Sequence, residues 1–531
     1  MAVFLLLASI VIFACFAANK LTGKLGIPSL LAFIVLGMLF GSDGLFKIEF
    51  DDFSFAEQIC SAALIFIMFY GGFGTNLKAA KAVAVPAVLL SSAGVIITAG
   101  LVGLFCHFVL KTGFAESFLI GSVISSTDAA SVFSILRSKR LNLKYGTASM
   151  LELESGSNDP CAYMLTSVFI AVAQGSASGE KIAYMIFAQS VYGIVFGAAI
   201  AYISVWLMKK ISFSADGFDT VLMVGIALIA YAIPAMLGGN GYLSTYIVGI
   251  VLGSCKIKNK KNAVHFFDGF IGMLQMLIFF LLGILSFPSQ LPHVALPALT
   301  IAVFLTLIAR PVAVSLILTP FKCPFRQQLL VSWAGLRGAA SIVFAIIVRQ
   351  AVDTGNDIFH ITFFIVLFSI LLQGSLIPLF SKKLNMIDAG SDVMKTFNDY
   401  SDETTIKFIR FEVPSGHEWC EKALKDILLP PDTLAVLIVR NGEKLIPDGN
   451  TLLLKGDELI LAAESSPELS GLSLSEIYIG KNHKYIGKKL CDIPKRENSL
   501  VIMINRGGHV VIPRGDTELA EGDTLVINKS S

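Results

Sequence analysis

Long apolar runs fill residues 1–384, and short polar segments separate them. A helix that crosses the hydrocarbon core needs about 20 mainly apolar residues. The thirteen predicted spans are 2–18, 27–42, 58–74, 83–109, 115–136, 151–174, 183–208, 219–237, 241–255, 268–287, 294–319, 327–349 and 358–381. Glycine or polar residues interrupt several of them, so one span fewer is the alternative. The pattern predicts an α-helical polytopic membrane protein with a polar C-terminal tail.

The composition agrees with a membrane protein and argues against several other classes. Of the 531 residues, 55% are hydrophobic and 15% are charged, whereas soluble proteins carry about 25% charged residues. The net charge of +2 gives no reason to expect a nucleic-acid partner. The eight cysteines have no CxxC or metal-ligand spacing, so we expect free thiols. We find no nucleophile–base or metal constellation, and we therefore expect neither an enzyme nor a cofactor.

Lysine and arginine residues are distributed unequally between the two sides of the predicted spans. With thirteen spans, 18 basic residues fall on one side and four on the other. Basic loops remain on the cytoplasmic side of a membrane. We therefore expect an external N-terminus and a cytoplasmic C-terminal tail in the plasma membrane, which is the inner membrane of a bacterial cell.

A small set of ionisable residues lies inside the apolar runs. A charged side chain at the bilayer centre costs about 2.5–3.5 kcal/mol, and such residues usually belong to an ion or proton pathway. The set contains four acids and two bases, as an interior with paired charges requires. Its members are Asp128, Glu152, Glu154, Asp159, Arg310 and Arg337.

Seven small or polar residues, 125–131, interrupt the fifth predicted span. Serine and threonine side chains satisfy backbone groups that a broken membrane helix releases. Transporters build ion sites from such broken helices. Asp128 is placed to neutralise the positive N-terminal end of a half-helix. The alternative is that the serines and Thr127 pack between helices, but packing alone does not need an aspartate.

A second polar cluster lies in the sixth predicted span. Glu154, Ser155, Asn158 and Asp159 fall at i, i+1, i+4 and i+5, which groups them on one side of a helix. Na⁺ and K⁺ prefer hard oxygen ligands, which Asn158 and Asp159 supply. Burial disfavours an ionised carboxylate, so Asp159 is expected to hold a proton near neutral pH. One carboxylate that binds either H⁺ or a cation is sufficient for electroneutral exchange.

Glu154 is expected to play a structural part. A buried glutamate beside an ion site needs a partner of opposite charge. The candidate partners in the apolar runs are Arg310 and Arg337. Glu152 is two residues before Glu154 and points away from it, and no role is assigned to it.

Five short motifs, in this order along residues 1–384, resemble those of the NhaP-type monovalent cation:proton antiporters of the cation:proton antiporter-1 family. The motifs are Thr127-Asp128, Glu154-Ser155-x-x-Asn158-Asp159, Ile308-Ala309-Arg310, Gly335-Leu336-Arg337-Gly338-Ala339 and Gln373-Gly374-Ser375-Leu376-Ile377-Pro378. The resemblance implies thirteen helices in two inverted repeats, two crossing broken helices and a homodimer.

The resemblance also implies roles for individual residues. It makes Asp159, paired with Asn158, the carrier of proton and cation, and it brings oxygens of Thr127 and Ser155 near the cation. The sequence departs from the family's pattern at one place. Members often have an acidic residue before the paired glycines of the third span, and this chain has Tyr70 there.

The tail contains an internal repeat at an offset of 66 residues. After a polar linker, 385–403, we expect two similar modules at 404–465 and 473–531. Arg440 and Arg506 occupy equivalent positions in the repeat. Strand-like runs that end at Gly-Asp turns predict a small sheet plus a short helix in each module.

The two modules resemble the RCK-C (TrkA-C) domain of bacterial K⁺ channels and transporters. No GxGxxG motif follows a strand in the tail, so a dinucleotide-binding partner domain and regulation by NAD or ATP are not expected. The resemblance makes cyclic di-AMP a candidate effector. Arg440 and Arg506 are either ligands of its phosphates or solvated arginines on turns.

These observations favour a regulated antiporter that exchanges K⁺, and in some measure Na⁺, for H⁺. A Na⁺/H⁺ antiporter is the alternative within the class. The alternatives from other classes are an RCK-gated cation channel and a transporter-derived sensor. The chain has no TVGYG-like filter, and a single titratable carboxylate in a broken-helix site suits exchange better than conduction.

Overall fold

The computed structural model separates into two units, Met1–Ser401 and Asp402–Ser531, each described by itself. The described residues are 2–25, 29–75, 81, 83–138, 141, 143–176, 178–210, 217–255, 260–388, 406–414, 417, 419–427, 429, 433–440, 443–464, 473–480, 485–492, 499–506, 509–511, 513 and 515–529.

The described part of the first unit is built from helices. They are α1 (Ala2–Leu25), α2 (Ser29–Phe40), α3 (Phe53–Gly74), α4 (Ala84–Phe108), α5 (Phe114–Val123), α6 (Ala129–Ser138), α7 (Thr147–Ala173), α8 (Gly179–Lys210), α9 (Phe218–Met236), α10 (Gly241–Ser254), α11 (Lys260–Leu285), α12 (Pro288–Leu318), α13 (Phe325–Trp333), α14 (Ala339–Ala351) and α15 (Ile358–Lys383).

Seven helices in the described ranges are long and apolar enough to cross a membrane. They are Phe53–Gly74, Ala84–Phe108, Gly179–Lys210, Phe218–Met236, Asn262–Leu285, Pro288–Leu318 and Ile358–Lys383. Shorter apolar helices accompany them, among them α2, α5, α10 and α14. The predicted class, a polytopic helical membrane protein, is confirmed, and the number of thirteen spans stays a prediction.

Side chains fix the starts of several helices. The carboxylate of Asp52 accepts a hydrogen bond from Phe55 N at 2.8 Å before α3. Asn240 does the same for Leu243 N at 3.0 Å before α10. The first turn of a helix leaves backbone N–H groups without helical partners, and a capping side chain satisfies one of them.

Two of the predicted spans are pairs of half-helices. The run 115–136 divides into α5 and α6, and 327–349 divides into α13 and α14. In each case a long helix with an internal π-helical turn comes first: Leu90–Gly94 in α4 and Leu305–Ala309 in α12. The same order of elements thus occurs twice, as an internal repeat requires.

Glycines allow two pairs of helices to approach closely. A Cβ atom built on Gly249 of α10 would lie 2.2 Å from Phe69 O of α3. Gly37 of α2 and Gly283 of α11 make a similar contact, in which a Cβ on Gly283 would lie 2.2 Å from Ile34 O. Small residues at such crossings let membrane helices pack through their backbones.

The second unit contains two four-stranded antiparallel sheets. The strands are β1 (Ile406–Glu412), β2 (Thr433–Arg440), β3 (Glu443–Leu445), β4 (Glu458–Glu464), β5 (Ser473–Tyr478), β6 (Ser499–Arg506), β7 (His509–Val511) and β8 (Thr524–Lys529). The strand orders are β1-β4-β2-β3 and β5-β8-β6-β7.

The two sheets repeat each other in register. A bulge lies between Ala435 and Leu437 in β2, and the equivalent bulge lies between Val501 and Met503 in β6. Each position differs from its counterpart by the 66 residues of the sequence repeat. The predicted pair of similar α+β modules is confirmed. The predicted short helix is only a 3₁₀ turn in the described residues, Leu424–Asp426 and Leu490–Asp492.

We expect Gly249→Ala to destabilise the first unit by about 1–3 kcal/mol, the usual cost of forcing extra atoms into a packed contact. The added methyl group would meet backbone atoms of α3, which cannot change rotamer to make room as a flexible side chain can. Thermal unfolding of the detergent-solubilised protein measures the change. Gly225→Ala in α9 is the control, because a methyl group added there would meet no neighbouring element within 4 Å in the described part of the chain. Equal midpoints in the two variants would contradict this prediction.

Candidate functional site

The breaks in the two interrupted helices contact each other. Asp128 N donates a hydrogen bond to Leu336 O at 2.8 Å, which joins the first break to the second. Arg337 Nη1 donates to Ser125 O and Ser126 O, both at 2.7 Å. Arg337 is buried. Its guanidinium group satisfies these two carbonyls, which follow the end of α5 and have no helical partners.

The glycines around Arg337 permit this contact. A Cβ atom on Gly338 would lie 2.4 Å from Cβ of Asp128, and one on Gly335 would lie 2.8 Å from Nε of Arg310. Both positions therefore need a residue without a side chain. Close packing in this fold therefore explains why the motif contains glycine at these two positions.

The middle of α7 lies against the first break. Ser126 Oγ donates a hydrogen bond to Asp159 Oδ1. Asn158 Nδ2 donates to Thr127 Oγ1, and Ser155 Oγ donates to Thr127 O at 2.6 Å. All five residues are buried. The structure thus brings together the residues that the sequence nominates for the ion site.

One oxygen in this cluster lacks a protein partner. Asn158 Oδ1 is buried and accepts no hydrogen bond from any residue that the structure describes. A buried amide oxygen without a donor is destabilising unless another group satisfies it. A bare or partly hydrated cation is such a group, because it binds neutral carbonyl oxygens as well as carboxylates.

Asp128 lies at the start of α6. Its carboxylate accepts hydrogen bonds from Ser131 Oγ and, at 3.4 Å, from Ser131 N. This is the position that the helix-dipole argument predicts, because the N-terminal end of a half-helix carries a partial positive charge. Asp128 therefore helps to hold the break in place beside Asp159.

Glu154 forms an ion pair with Arg310, in which Arg310 Nη2 donates to Glu154 Oε1. Both side chains are almost completely buried, with 1% and 3% of their surface exposed. Of the two arginines that the sequence offers, Arg310 makes the direct contact. Arg337 binds backbone carbonyls instead, because the broken helix presents them at the end of α5.

A cavity of about 470 Å³ reaches the cluster. Apolar side chains form much of its wall, together with Ser126, Thr127 and Ser155. Four carboxylate residues also line it: Asp128, Glu152, Asp159 and Asp268. The cavity lies between α3, α7, α11 and the start of α14, and Asp159 is part of its wall.

Sequence reasoning misses some of these residues for identifiable reasons. The predicted tenth span begins at residue 268, whereas α11 begins at Lys260, so the hydropathy pattern puts Asp268 at a boundary. Tyr70 stands where the family often has an acid, and its hydroxyl donates to Asp268 of another helix. Ser126 belongs to the polar segment, but nothing in its spacing indicates a bond to Asp159.

In the tail, each equivalent arginine binds an aspartate of its own module. Arg440 Nε and Nη2 donate to the two oxygens of Asp457 at 2.8 and 2.7 Å. Arg506 makes the same pair with Asp523 at 2.7 and 2.8 Å. Both carboxylates are buried. The arginines thus hold the Gly-Asp turns, and their proposed binding to ligand phosphates stays a prediction.

The same hydrogen bonds lower the pKa of both aspartates. The bonds from Arg440 hold the pKa of Asp457 below its usual value, and those from Arg506 do the same for Asp523. A carboxylate with a lowered pKa in the folded state stabilises the fold above its ordinary pKa. That stabilisation is lost as the pH falls through the lowered value.

The fold and the buried site define a membrane transporter of the cation:proton antiporter class. The family model described as "Sodium/hydrogen exchanger, transmembrane" matches residues 8–383, and the TrkA-C domain model matches residues 408–468 and 474–528. The chain belongs to the sodium/hydrogen exchanger family and carries two TrkA-C domains. The family consists of transporters and not of enzymes.

Several curated relatives are similar over most of their length. The chain is 33% identical to the K⁺/H⁺ antiporter NhaP of Alkalimonas amylolytica over 460 residues, which is 85% of this chain and 80% of that one. It is 34% identical to the K⁺/H⁺ antiporter NhaP2 of Shewanella baltica over 466 residues, 85% and 79% of the two chains. The Na⁺/H⁺ antiporter NhaS2 of Synechocystis is 26% identical over 62% of each chain.

The fold also matches a solved structure. The sodium proton antiporter MjNhaP1 from Methanocaldococcus jannaschii superposes with a TM-score of 0.63 at 23% sequence identity. The match covers 72% of this chain and 99% of the other. At this level of identity the likeness concerns the fold alone.

We expect Glu154→Gln to destabilise the first unit by about 3–5 kcal/mol, because it leaves the charge of Arg310 buried without its counter-ion. Thermal unfolding in detergent measures this loss. Glu180→Gln, which removes an exposed carboxylate at the start of α8, is the matched control. The double variant Glu154→Gln/Arg310→Gln should be more stable than Glu154→Gln alone. A double variant that is less stable would contradict the ion-pair explanation.

We expect Arg440→Ala to loosen the first module and Arg506→Ala the second, by about 1–3 kcal/mol each, since a buried carboxylate loses its donors. Hydrogen–deuterium exchange of the full chain measures β2 and β4 separately from β6 and β8, so each module is the control for the other. In the wild type, protection of both modules should fall below about pH 4. Equal loosening of both modules by one substitution would refute the pairing.

Proposed function

We propose that the chain exchanges K⁺ for H⁺ across the membrane by alternating access, with Asp159 binding either ion. One observation carries this proposal: a buried carboxylate lines a cavity where two broken helices meet, and its hydrogen-bond partner among the described residues is a hydroxyl group. Transporters use broken helices in this way to form ion sites near the middle of the membrane.

The ligands proposed for the cation are the oxygens of Asp159, Asn158 and Thr127. Ser155 and Asp128 position them, Ser155 through the Thr127 carbonyl and Asp128 through the start of α6. When the cation leaves, a proton neutralises Asp159 and removes the cost of an unpaired charge in the membrane. Because one carboxylate carries one ion each way, the exchange is one for one and electroneutral.

The fixed charges near the site support this stoichiometry. Glu154 and Arg310 neutralise each other in this structure, and Arg337 is engaged with backbone carbonyls. Neither group needs to take up or release a proton when the cation binds. Of the carboxylates that line the cavity, the proposal assigns the change of charge to Asp159.

The preference for K⁺ rests on the relatives named K⁺/H⁺ antiporters at 33–34% identity. Transport of Na⁺ is the alternative within the class, and a relative named a Na⁺/H⁺ antiporter at 26% identity supports it. Both ions use the same hard oxygen ligands and differ in the size of the coordination shell. Selectivity is therefore the first property to measure.

The tail is proposed to regulate the exchange. Two TrkA-C domains follow the transmembrane unit, and cyclic di-AMP is the proposed effector. We further propose a homodimer in the bacterial plasma membrane, with an external N-terminus and a cytoplasmic tail. The unequal distribution of basic residues supports the orientation.

We expect Asp159→Asn to abolish exchange without unfolding the protein, because asparagine has the shape of aspartate but cannot alternate between a proton and a cation. The measurement is dequenching of a pH-sensitive dye in proteoliposomes after addition of K⁺, Na⁺ or Li⁺. Asp51→Asn, in an exposed loop, is the control and should exchange normally. Cyclic di-AMP added on the tail side should change the wild-type rate.

Each outcome of this experiment has a definite meaning. A K⁺ response that Asp159→Asn lacks supports K⁺/H⁺ exchange at this residue. A response to Na⁺ alone keeps the mechanism and replaces the cation. Retained proton-coupled transport in Asp159→Asn refutes the role of Asp159, and an unchanged rate with cyclic di-AMP refutes that effector.

A further inference from the structure

One of the four carboxylate residues that line the cavity, Asp268, comes from α11. Asp268 is in the third turn of α11, and Tyr70 of α3 donates a hydrogen bond from its hydroxyl to Asp268 Oδ1. Both residues line the cavity together with Asp159. The cavity is thus bounded by α7 on the side of Asp159 and by α3 and α11 on the side of Asp268.

The position of the Tyr70 hydroxyl is fixed by packing. The ring stacks on Phe267 with centroids 5.8 Å apart and planes at 18°, and on Phe73 at 6.4 Å and 25°. Both phenylalanines are completely buried. A tyrosine held in this way orients the carboxylate that it binds, since a stacked ring cannot easily swing its hydroxyl elsewhere.

The wall of the cavity makes a carboxylate effective at a distance. Apolar side chains such as Leu64, Met68, Ile271 and Phe279 line it. Low-dielectric walls concentrate the field of a charge in a cleft and raise the local concentration of its counter-ion. A negative group in this cavity therefore attracts cations towards Asp159.

We propose that Asp268, positioned by Tyr70, is a further determinant of cation affinity, which attracts the cation into the cavity and stabilises it on the way to Asp159. This inference rests on the proposed exchange function and adds a second carboxylate to its ion path. Asp159 remains the group that changes its bound ion. Asp268 contributes charge, and Tyr70 contributes orientation.

A purely mechanical role for the pair makes different predictions. If the Tyr70–Asp268 hydrogen bond only ties α3 to α11, then Asp268→Asn should leave exchange unchanged. The amide oxygen of asparagine still accepts a hydrogen bond from the Tyr70 hydroxyl. Tyr70→Phe should then be the damaging change. If the charge matters, the order of the two effects is reversed. The two variants therefore separate charge from hydrogen bonding.

The test measures initial exchange rates in proteoliposomes against the concentration of the cation that the wild type transports. We expect Asp268→Asn to raise the apparent KM about tenfold through the lost charge, with the maximal rate within about twofold. Tyr70→Phe should raise the KM about threefold, and Asp268→Glu should restore most of the wild-type value. Asp353→Asn, in an exposed loop, is the charge-matched control.

An unchanged KM in Asp268→Asn would overturn the inference, as would a lower maximal rate and thermal midpoint without a change in KM. If Asp268→Asn does not fold, Tyr70→Phe still tests the inference, because it keeps the charge and the ring, and an unchanged KM there overturns the inference. A wild type without exchange would refute the proposed function itself. Exchange that is lost in Asp159→Asn but has an unchanged KM in Asp268→Asn would refute this inference and leave the proposed function standing.

Discussion

The contact between the two broken helices depends on finding partners for polar groups where water is scarce. Breaking a helix inside a membrane exposes carbonyls and N–H groups, and each costs several kcal/mol if nothing binds it. Here the guanidinium group of Arg337 binds two carbonyls of the first break, and Asp128 N binds a carbonyl of the second. Gly335 and Gly338 make room for these contacts. Each break therefore provides partners for polar groups of the other.

The same rule applies in the tail, on a smaller scale. Asp457 and Asp523 are buried at the ends of Gly-Asp turns, and Arg440 and Arg506 neutralise them. The arginine and the aspartate recur at the same offset of 66 residues because each module needs both to close its turn. The repeat that is visible in the sequence thus records a folding requirement of the module.

Sequence reasoning predicted the helical class, the polar cluster around Asp159 and the two tail modules, because each has a local pattern. It could not choose between Arg310 and Arg337 as the partner of Glu154, since both are more than 150 positions away along the chain. It also missed Asp268, because a span boundary read from hydropathy is uncertain by several residues. Such contacts depend on tertiary packing, which leaves no periodic pattern in the sequence.

Glu154 and Asp159 show how neighbouring carboxylates on one helix acquire different properties. Glu154 has a buried cationic partner in Arg310, which neutralises its charge. The carboxylate of Asp159 accepts a hydrogen bond from the neutral hydroxyl group of Ser126. Such a bond stabilises a negative charge without neutralising it. Among the residues that the structure describes, Glu154 thus has a fixed counter-ion, whereas the contact of Asp159 is with a neutral group. The cavity that Asp159 lines is the route by which we propose that the cation reaches it.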